Sequence, residues 1–237
     1  MARANTRSFH SIPDHEYEVR TDLCKERIFT IDPEDAKGLD DALSIKPNDD
    51  GTYDVGIHIA DVSFHVKPNT ALDRDARKRA TSVYLVQRVV PMLPPALSEE
   101  LCSLSPGEER LAFSVVLTLT KEGKTIKKWF GKTVVKSAAK LSYGIVQGVL
   151  DGEPLGDVSV APEHGVALIE TDIRLLNELA KVLRTRRFQN GSLRLGSPHL
   201  SFKLNDQGLP VDCSEVVNLE ANAIVEEVWS SAMEFDG

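Results

Sequence analysis

Residues 31–42 read IDPEDAKGLDDA, and this stretch decides how the rest of the sequence is interpreted. Five carboxylates fall within the ten residues 32–41, where like charges repel one another unless something compensates them. Apolar residues stand on both sides, with Ile28 and Phe29 before the loop and Leu43 after it. The pattern therefore predicts an acidic loop whose two ends are anchored in a hydrophobic core.

The crowded carboxylates indicate a metal site with oxygen ligands. Mg²⁺ is commonly held by a few carboxylates while it keeps waters and contacts phosphate oxygens, and Mn²⁺ accepts the same ligands. The loop contains no His or Cys, which disfavours zinc. Its spacing also differs from that of a calcium-binding EF-hand. A merely solvated acidic loop remains the alternative interpretation.

Short strands are predicted on both sides of the loop. Residues 27–31 and 42–45 are β-prone runs, and residues 52–62 alternate as a further strand. Residues 111–120 and 125–135 form a plausible hairpin. Because the runs are short and joined by turns, they predict a mainly antiparallel sheet.

The longest predicted helix covers residues 163–187. Its apolar residues are spaced three and four apart, as one buried face requires: Val166, Ile169, Ile173, Leu176, Ala180 and Leu183. This helix should pack on the sheet. The fold class predicted is α+β, with a mixed, mainly antiparallel sheet packed with helices.

Charge is segregated along the chain. The net charge of −8 argues against nucleic-acid binding, because phosphate-binding domains usually carry a basic excess. Residues 121–140, however, contain a single acid, Glu122, among seven lysines: Lys121, Lys124, Lys127, Lys128, Lys132, Lys136 and Lys140. This run favours contact with phosphates, and a solvated strand or helix face is the alternative.

The cysteines and the apolar content favour a cytoplasmic protein. Cys24, Cys102 and Cys213 are widely spaced and odd in number, which predicts neither a disulfide framework nor a zinc site. No run approaches the roughly 20 apolar residues that span a bilayer. Residues 1–7 are not followed by an apolar signal core. We therefore expect no membrane partner, and no motif identifies a protein partner.

Several motifs together resemble the ribonuclease II (RNB) family of 3′-to-5′ exoribonucleases. The acidic loop resembles the metal-binding signature of that family, and GIHIADVS at residues 56–63 resembles its second hallmark. ATSVYL at 80–85, PMLP at 91–94 and LSEELCSL at 97–104 continue the match in family order. The residues of these motifs are most similar to those of the exosome-independent eukaryotic branch, which includes fungal RNA-binding relatives that have lost catalysis.

The resemblance implies roles for individual residues. Asp32, Asp40 and Asp41 match aspartates that surround the metal in the family, and Asp40 is the expected catalytic residue. Tyr84 and Tyr143 match aromatic positions that bind RNA near its 3′ end, although either could instead be a half-buried structural tyrosine. The chemistry implied is two-metal hydrolysis of single-stranded RNA.

Two further sites follow from the resemblance. Glu227 ends a segment, NAIVEE at residues 222–227, that resembles a helix beside the family's active site, and we expect it to take part in RNA binding. His58 and Asp61 are expected to be structural, because polar groups on strands often lock a hairpin.

The chain departs from the family at two places. The fourth aspartate of the signature falls on Gly38, which offers no ligand atom. The match to the family covers about residues 24–227. We therefore predict a polar tail or linker over residues 1–25, the N-terminal part of an RNB-type catalytic domain over 26–227, and a divergent tail over 228–237, with the family's C-terminal part missing.

Three functions remain open from the sequence. The first is a metal-dependent 3′-to-5′ exoribonuclease domain acting on single-stranded RNA. The second is an RNA-binding regulatory protein whose nuclease site has decayed, which Gly38 favours. The third is a non-functional, truncated fragment of an incomplete catalytic domain.

Overall fold

The computed structural model describes residues 12–193, 200–215 and 217–233. A π-helical turn, Ala96–Leu101, separates β6 from β7. In chain order, the helices and strands are α1 (Asp14–Val19), β1 (Thr21–Asp22), β2 (Ile28–Asp32), β3 (Asp41–Pro47), β4 (Tyr53–Ala60), α2 (Val62–His65), α3 (Ala71–Arg79), β5 (Val83–Tyr84), β6 (Val89–Val90), β7 (Glu109–Leu119), β8 (Thr125–Ser142), α4 (Tyr143–Leu150), α5 (Val166–Gln189), β9 (Leu200–Leu204), β10 (Pro210–Glu215) and α6 (Glu220–Met233).

Five strands form a closed ring of hydrogen-bonded neighbours. The order is β8, β2, β3, β4 and β7, and β7 pairs again with β8, while β1 also pairs with β8. The β2–β3, β3–β4, β4–β7 and β7–β8 pairs are antiparallel, whereas β1–β8 and β2–β8 are parallel. The predicted mixed, mainly antiparallel sheet is confirmed, and it closes into a small barrel.

The barrel closes because β8 is 18 residues long. Residues 125–136 of this strand pair with β7, and residues 137–142 pair with β2. The sequence prediction ended the strand at residue 135, where lysines interrupt the apolar run. In the structure these lysines have partners at the surface, since Lys136 pairs with Glu163 at 2.6 Å, and the strand continues.

The larger core lies between the barrel and three helices. Alternate residues of the strands face α4, α5 and α6, which follows from the two-residue period of side chains in a strand. The predicted long helix is confirmed as α5, and its buried stripe includes Ile169, Ile173 and Leu176. The strand residues in this core include Phe29, Leu43, Ile57, Leu117 and Leu141.

A smaller core occupies a separate cluster of buried residues. It contains Ile28 and Ala42 from β2 and β3, which neighbour Phe29 and Leu43 of the larger core in sequence. Leu39 of the acidic loop and Leu104 also belong to it. The acidic loop is therefore tied into the smaller core, while the strands on each side of it also contribute to the larger one.

A polar layer accompanies these cores, formed by the buried residues His58, Ser114 and Thr133 and by the half-buried Ser44. The His58 ring nitrogens lie 3.0 Å from Ser44 Oγ and 2.8 Å from Ser114 Oγ, and Ser114 Oγ lies 2.7 Å from Thr133 Oγ1. Burial lowers the pKa of His58 to about 3. A Cβ at Gly56 would come within 2.3 Å of Ser44 Oγ, so glycine leaves the room this layer needs.

The second half of the predicted polar tail or linker over residues 1–25 contains regular structure. Residues 14–19 form α1 and residues 21–22 pair with β8. Arg20 between them is buried and donates to Asp61 Oδ2 at 2.7 Å. The polar composition hid this segment because a buried ion pair, rather than apolar side chains, attaches it to the barrel.

The predicted boundary at residue 228 does not coincide with the end of a helix or strand. It falls inside α6, whose residues Val228 and Ser231 are buried. Residues 220–233 are therefore one helix of the folded domain, and residues 234–237 of the expected tail lie outside the described part of the chain. Within that part, no helix has both the length and the apolar composition that crossing a bilayer requires.

Candidate functional site

The acidic loop joins two adjacent strands of the barrel. Asp32 is the last residue of β2 and Asp41 is the first residue of β3, and these strands pair antiparallel. Both residues therefore lie at the same end of the barrel. Together with Asp40 they form the site that we call the acidic edge. Asp40 precedes β3 directly, and its carbonyl accepts a hydrogen bond from the Ala60 amide at 2.9 Å.

Three further contacts fix the course of the loop. The Leu39 amide donates to Ser103 Oγ at 3.1 Å, and the Leu39 carbonyl accepts from the Leu104 amide at 2.8 Å. Lys140 Nζ donates to the Ala36 carbonyl at 2.7 Å. The carboxylates of the loop thus project from a backbone whose position is set by β8 and by the segment before β7.

The surroundings oppose ionisation of all three aspartates. Burial and the charges of Asp41 and Asp40 raise the pKa of Asp32 to about 6. Desolvation and the charge of Asp41 raise the pKa of Asp40, although Asp40 is exposed, and burial raises the pKa of Asp41. Raised values of this kind mark negative charge that the protein itself does not neutralise.

One oxygen of this site lacks a hydrogen-bonding partner. Asp32 Oδ2 is buried and makes no hydrogen bond, and the other such side-chain atom among the described residues is the hydroxyl oxygen of Thr30, a group that acts to lower the pKa of Asp32. An unpaired buried carboxylate oxygen is costly, and a bound cation would remove that cost. The donor set, three carboxylates without His or Cys, fits a hard divalent cation.

The aspartates alone do not enclose an ion. No group of three or more His, Cys, Asp or Glu side chains within the described ranges is arranged to hold a metal. Mg²⁺ usually keeps several waters and takes only a few protein ligands. The site therefore fits an ion completed by water or phosphate oxygens, and the metal assignment of Asp32, Asp40 and Asp41 stays a prediction.

Gly38 packs closely against the π-helical turn. A Cβ at this position would lie 2.7 Å from the Ser98 carbonyl oxygen and 3.8 Å from Asp40 Oδ1. The first distance is shorter than van der Waals contact allows, and the atom met belongs to the backbone. An aspartate at position 38 would therefore require the loop or the turn to move.

The structure brings Tyr143 to the aspartates. Tyr143 opens α4 directly after Ser142, which pairs with Asp32 in the β2–β8 ladder. Its pKa is raised by burial and by the charges of Asp32 and Asp41. Tyr143 is half-buried and contacts the larger core, so its placement suits a structural role as well as contact with a ligand at the acidic edge.

Tyr84 is placed differently. It lies in the two-stranded β5–β6 hairpin and is 80% exposed. No hydrogen bond or ion pair between described residues ties it to the aspartates. Its ring is available for stacking, and its role in RNA binding stays a prediction.

The carboxylate of Glu227 forms an ion pair with Arg187. Glu227 is 1% exposed, and its carboxylate accepts two hydrogen bonds from Arg187, at 2.6 and 2.9 Å. The pair joins α6 to α5. Glu227 would reach RNA only if this pair opened, so its position in the structure is that of a structural residue, and its predicted contact with RNA is untested.

The lysine run does not form a uniform basic face. Lys136 pairs with Glu163, and Lys140 binds the Ala36 carbonyl in the acidic loop. Lys132 is exposed on β8, and Lys121 and Lys124 lie at or next to the β7–β8 turn. Phosphate contact by the whole run is therefore not supported, although its exposed members remain candidates.

Sequence reasoning missed a contact of Asp41. Trp229 Nε1 donates to Asp41 Oδ2 at 2.9 Å, across 188 residues of sequence. Trp229 falls in the segment that was assigned to a divergent tail. A single tryptophan in a helix gives no signal of such a contact, since its partner is decided by how α6 packs.

Comparison with known proteins identifies the domain. A sequence model of the RNB domain matches residues 20–235. DIS3-like exonuclease 2 of Schizosaccharomyces pombe is 48% identical over 220 residues, which are 91% of this chain and 24% of that protein. The Arabidopsis thaliana protein named inactive exonuclease DIS3L2 is 42% identical over 91% of this chain and 21% of its own length. The chain thus spans about a quarter of these relatives.

The fold agrees with the sequence match. RNase R of Mycoplasma genitalium, solved with ribose-methylated single-stranded RNA, superposes with a TM-score of 0.85 over 94% of this chain and 34% of that one. The sequence identity is 24%, so this likeness concerns the fold. It agrees with the closed barrel and the helices described above.

Proposed function

Since this chain belongs to the RNB domain family, we propose that it forms part of a metal-dependent exoribonuclease that hydrolyses single-stranded RNA from its 3′ end. The observation that carries the proposal is the acidic edge. Asp32 at the end of β2, Asp41 at the start of β3 and Asp40 just before it have raised pKa values, and Asp32 Oδ2 is buried without a hydrogen-bonding partner.

In this proposal each residue has a definite task. Asp32, Asp40 and Asp41 would bind Mg²⁺ or Mn²⁺, and Asp40, the most exposed of the three, would lie nearest to the reacting phosphate. A bound ion supplies charge stabilisation and an activated water to phosphodiester hydrolysis. Tyr143 would limit access of bulk water to the aspartates, and Tyr84 would stack on a base of the single strand.

A second function is favoured by Gly38. The family's fourth aspartate is replaced by a residue without a ligand atom, and a side chain there would meet the Ser98 carbonyl at 2.7 Å. A carboxylate at position 38 would therefore need a local shift of the loop or the turn as well as the change of residue. This supports an RNA-binding protein with a decayed nuclease site, and a relative at 42% identity bears the name of an inactive exonuclease.

One experiment separates the two functions. Single-stranded RNA labelled at either end is incubated with the 237-residue chain and Mg²⁺, beside an Asp40→Asn variant. Immediate release of nucleotides from the 3′-labelled RNA, with a ladder from the 5′-labelled RNA and loss of both in the variant, supports the nuclease. RNA binding with no release by either protein supports the binding protein.

The matched control is Asp35→Asn. Asp35 lies in the same loop and is exposed, but it is not among the proposed ligands. Its substitution removes the same charge while leaving Asp32, Asp40 and Asp41 intact. If Asp35→Asn lowers hydrolysis as much as Asp40→Asn does, loop charge rather than metal binding explains the activity, and the assignment of the ligands is wrong.

A further inference from the structure

The contact between α6 and the acidic edge extends the proposed site. Trp229 lies in the last turns of α6 and donates its indole N–H to Asp41 Oδ2. We infer that Trp229 is a positioning residue, which orients the Asp41 carboxylate for binding a divalent cation. The inference rests on the proposed function, because it assigns Trp229 a part in the same metal site.

The position of Trp229 is set by packing and not by Asp41. Its neighbour Val228 and Ile224, one turn earlier, are fully buried in the larger core. Trp229 itself is half-buried against that core, together with Val225 and Ala232 on the same helix face. The indole N–H is therefore held in place by α6, and Asp41 must adjust to it.

The chemistry of the donor suits this role. An indole N–H donates one hydrogen bond, accepts none and carries no charge. It can therefore hold one carboxylate oxygen without neutralising the carboxylate. A lysine or an arginine would neutralise it. Lys140, the cation whose charge acts on Asp32, is bound to the Ala36 carbonyl. Asp41 thus keeps its remaining lone pairs for an ion.

Orientation matters because the three carboxylates repel one another. Asp40 and Asp41 are adjacent in sequence, and Asp32 ends the strand that pairs antiparallel with the strand that Asp41 begins, so their like charges are brought close together. In the absence of a cation, this repulsion favours rotation of the side chains away from each other. The bond from Trp229 opposes that rotation at Asp41, and residues that orient metal ligands typically contribute about 10- to 100-fold to metal affinity.

The two tryptophans of the chain allow a matched test. Trp129 lies far along β8, opposite Val116 of β7, whereas the acidic edge adjoins the other end of that strand. We expect Trp229→Phe to weaken Mn²⁺ binding, measured by calorimetry, about 10-fold or more, and Trp129→Phe to leave it within about twofold. An unchanged affinity in folded Trp229→Phe protein overturns the inference.

A second measurement uses Trp229 itself as the probe of the ion's position. In the Trp129→Phe protein, Trp229 is the sole tryptophan and should transfer energy to bound Tb³⁺, because such transfer falls steeply with distance. Mg²⁺ should compete the luminescence away, and Asp41→Asn should abolish it. If Trp129 in the Trp229→Phe protein sensitises Tb³⁺ equally, the ion is not beside Trp229 and the inference is wrong.

These measurements test the role of Trp229 separately from the proposed metal site. Failure of the unaltered chain to bind Mn²⁺ or Tb³⁺ overturns the proposed metal site, and the role of Trp229 with it. Binding that is equal in the unaltered chain and in Trp229→Phe overturns only the role of Trp229. Weaker binding in Trp229→Phe, with an unaltered circular dichroism spectrum, supports both.

Discussion

The barrel contains two groups of polar side chains that differ in how completely they are paired. In the layer of Ser44, His58, Ser114 and Thr133, a chain of hydrogen bonds joins all four side chains. At the acidic edge, a few residues along the same strands, Asp32 Oδ2 has no partner. Fully paired polar groups stabilise a fold, whereas an unpaired buried one leaves room for a water or a bound ion.

The difference is visible in the protonation of the two groups. Burial keeps His58 neutral, and its neighbours are hydroxyls, which tolerate a neutral ring. Burial also opposes the charge on Asp32, Asp40 and Asp41, but there the neighbours are other carboxylates. The hydrogen bonding of the layer is therefore complete without a ligand. At the acidic edge, ionisation of all three carboxylates is expected to become favourable only when a cation binds.

The largest effect is expected from removing a proposed ligand. Asp41→Asn should lower RNA hydrolysis by about 100-fold or more, since even residues that only orient metal ligands account for about 10- to 100-fold. RNA binding should change little. The measurement is nucleotide release under single-turnover conditions beside RNA binding at equal Mg²⁺. A variant with unimpaired hydrolysis would mean that Asp41 is not a ligand.

The next effect concerns pH and tests whether the layer is structural. The pKa of His58 is near 3 in the folded protein and about 6.5 when unfolded, so only the unfolded state gains this proton between those values. As the pH is lowered from about 6.5 to near 3, the free energy of unfolding should therefore decrease by about 1.4 kcal/mol per pH unit. Above pH 6.5 the residue contributes no slope.

Comparison with His58→Gln isolates this contribution from that of the carboxylates. Urea unfolding of both proteins between pH 4 and 8 gives the slope of each, and the difference should approach one proton. His15→Gln, at an exposed histidine of α1, is the control for replacing a histidine outside the layer. Equal slopes for His58→Gln and the unaltered chain would show that His58 titrates in the folded state.

A smaller effect is expected from filling the space at Gly38. Gly38→Ala adds a methyl group that meets the Ser98 carbonyl, and overpacking of this kind costs about 1–3 kcal/mol. Gly38→Asp adds the same clash and a further negative charge, so without metal it should be less stable than Gly38→Ala. Thermal unfolding with and without Mg²⁺ measures both.

The two Gly38 variants also bear on activity. If Mg²⁺ restores stability to Gly38→Asp but not to Gly38→Ala, and hydrolysis rises in Gly38→Asp, the added carboxylate binds the ion after a local shift of the loop. If hydrolysis does not rise, the arrangement around Ser98 excludes a working aspartate, and the RNA-binding function is favoured.

The smallest effect should be a gain in stability at the acidic edge. Asp32→Asn removes a charge whose ionisation is opposed by burial and by Asp41 and Asp40. At pH 7.5 without metal, the variant should be more stable by about 1 kcal/mol, since Asp32 is only partly buried and solvent screens part of the repulsion. A loss of stability in metal-free buffer would contradict the contrast between the two groups.

The sign follows from the direction of the shift. A folded-state pKa near 6 lies above the ordinary value for Asp, so the folded protein holds this proton more tightly than the unfolded chain does. Ionisation above about pH 6 is therefore unfavourable for folding, and the advantage of Asp32→Asn should vanish as pH falls below about 4. Added Mg²⁺ should reverse the order by stabilising only the unaltered chain.

Much of this molecule follows from local sequence. The acidic loop between two apolar runs predicted the β2–loop–β3 unit, because strand periodicity and turn residues act over a few positions. The spacing of Ile169, Ile173 and Leu176 predicted α5 for the same reason. The motif order also predicted the family, and with it the candidate aspartates.

Tertiary structure alone decided which distant groups meet. The bond from Trp229 to Asp41 spans 188 residues, and that from Lys140 to Ala36 spans 104. The pair that buries Glu227 against Arg187 likewise joins residues 40 positions apart, and the predicted contact of Glu227 with RNA stays a prediction. Such contacts depend on strand register and helix packing, and these are determined by many small energetic contributions from the whole core. A hydrogen bond of this kind therefore leaves no periodic trace in the sequence around either partner.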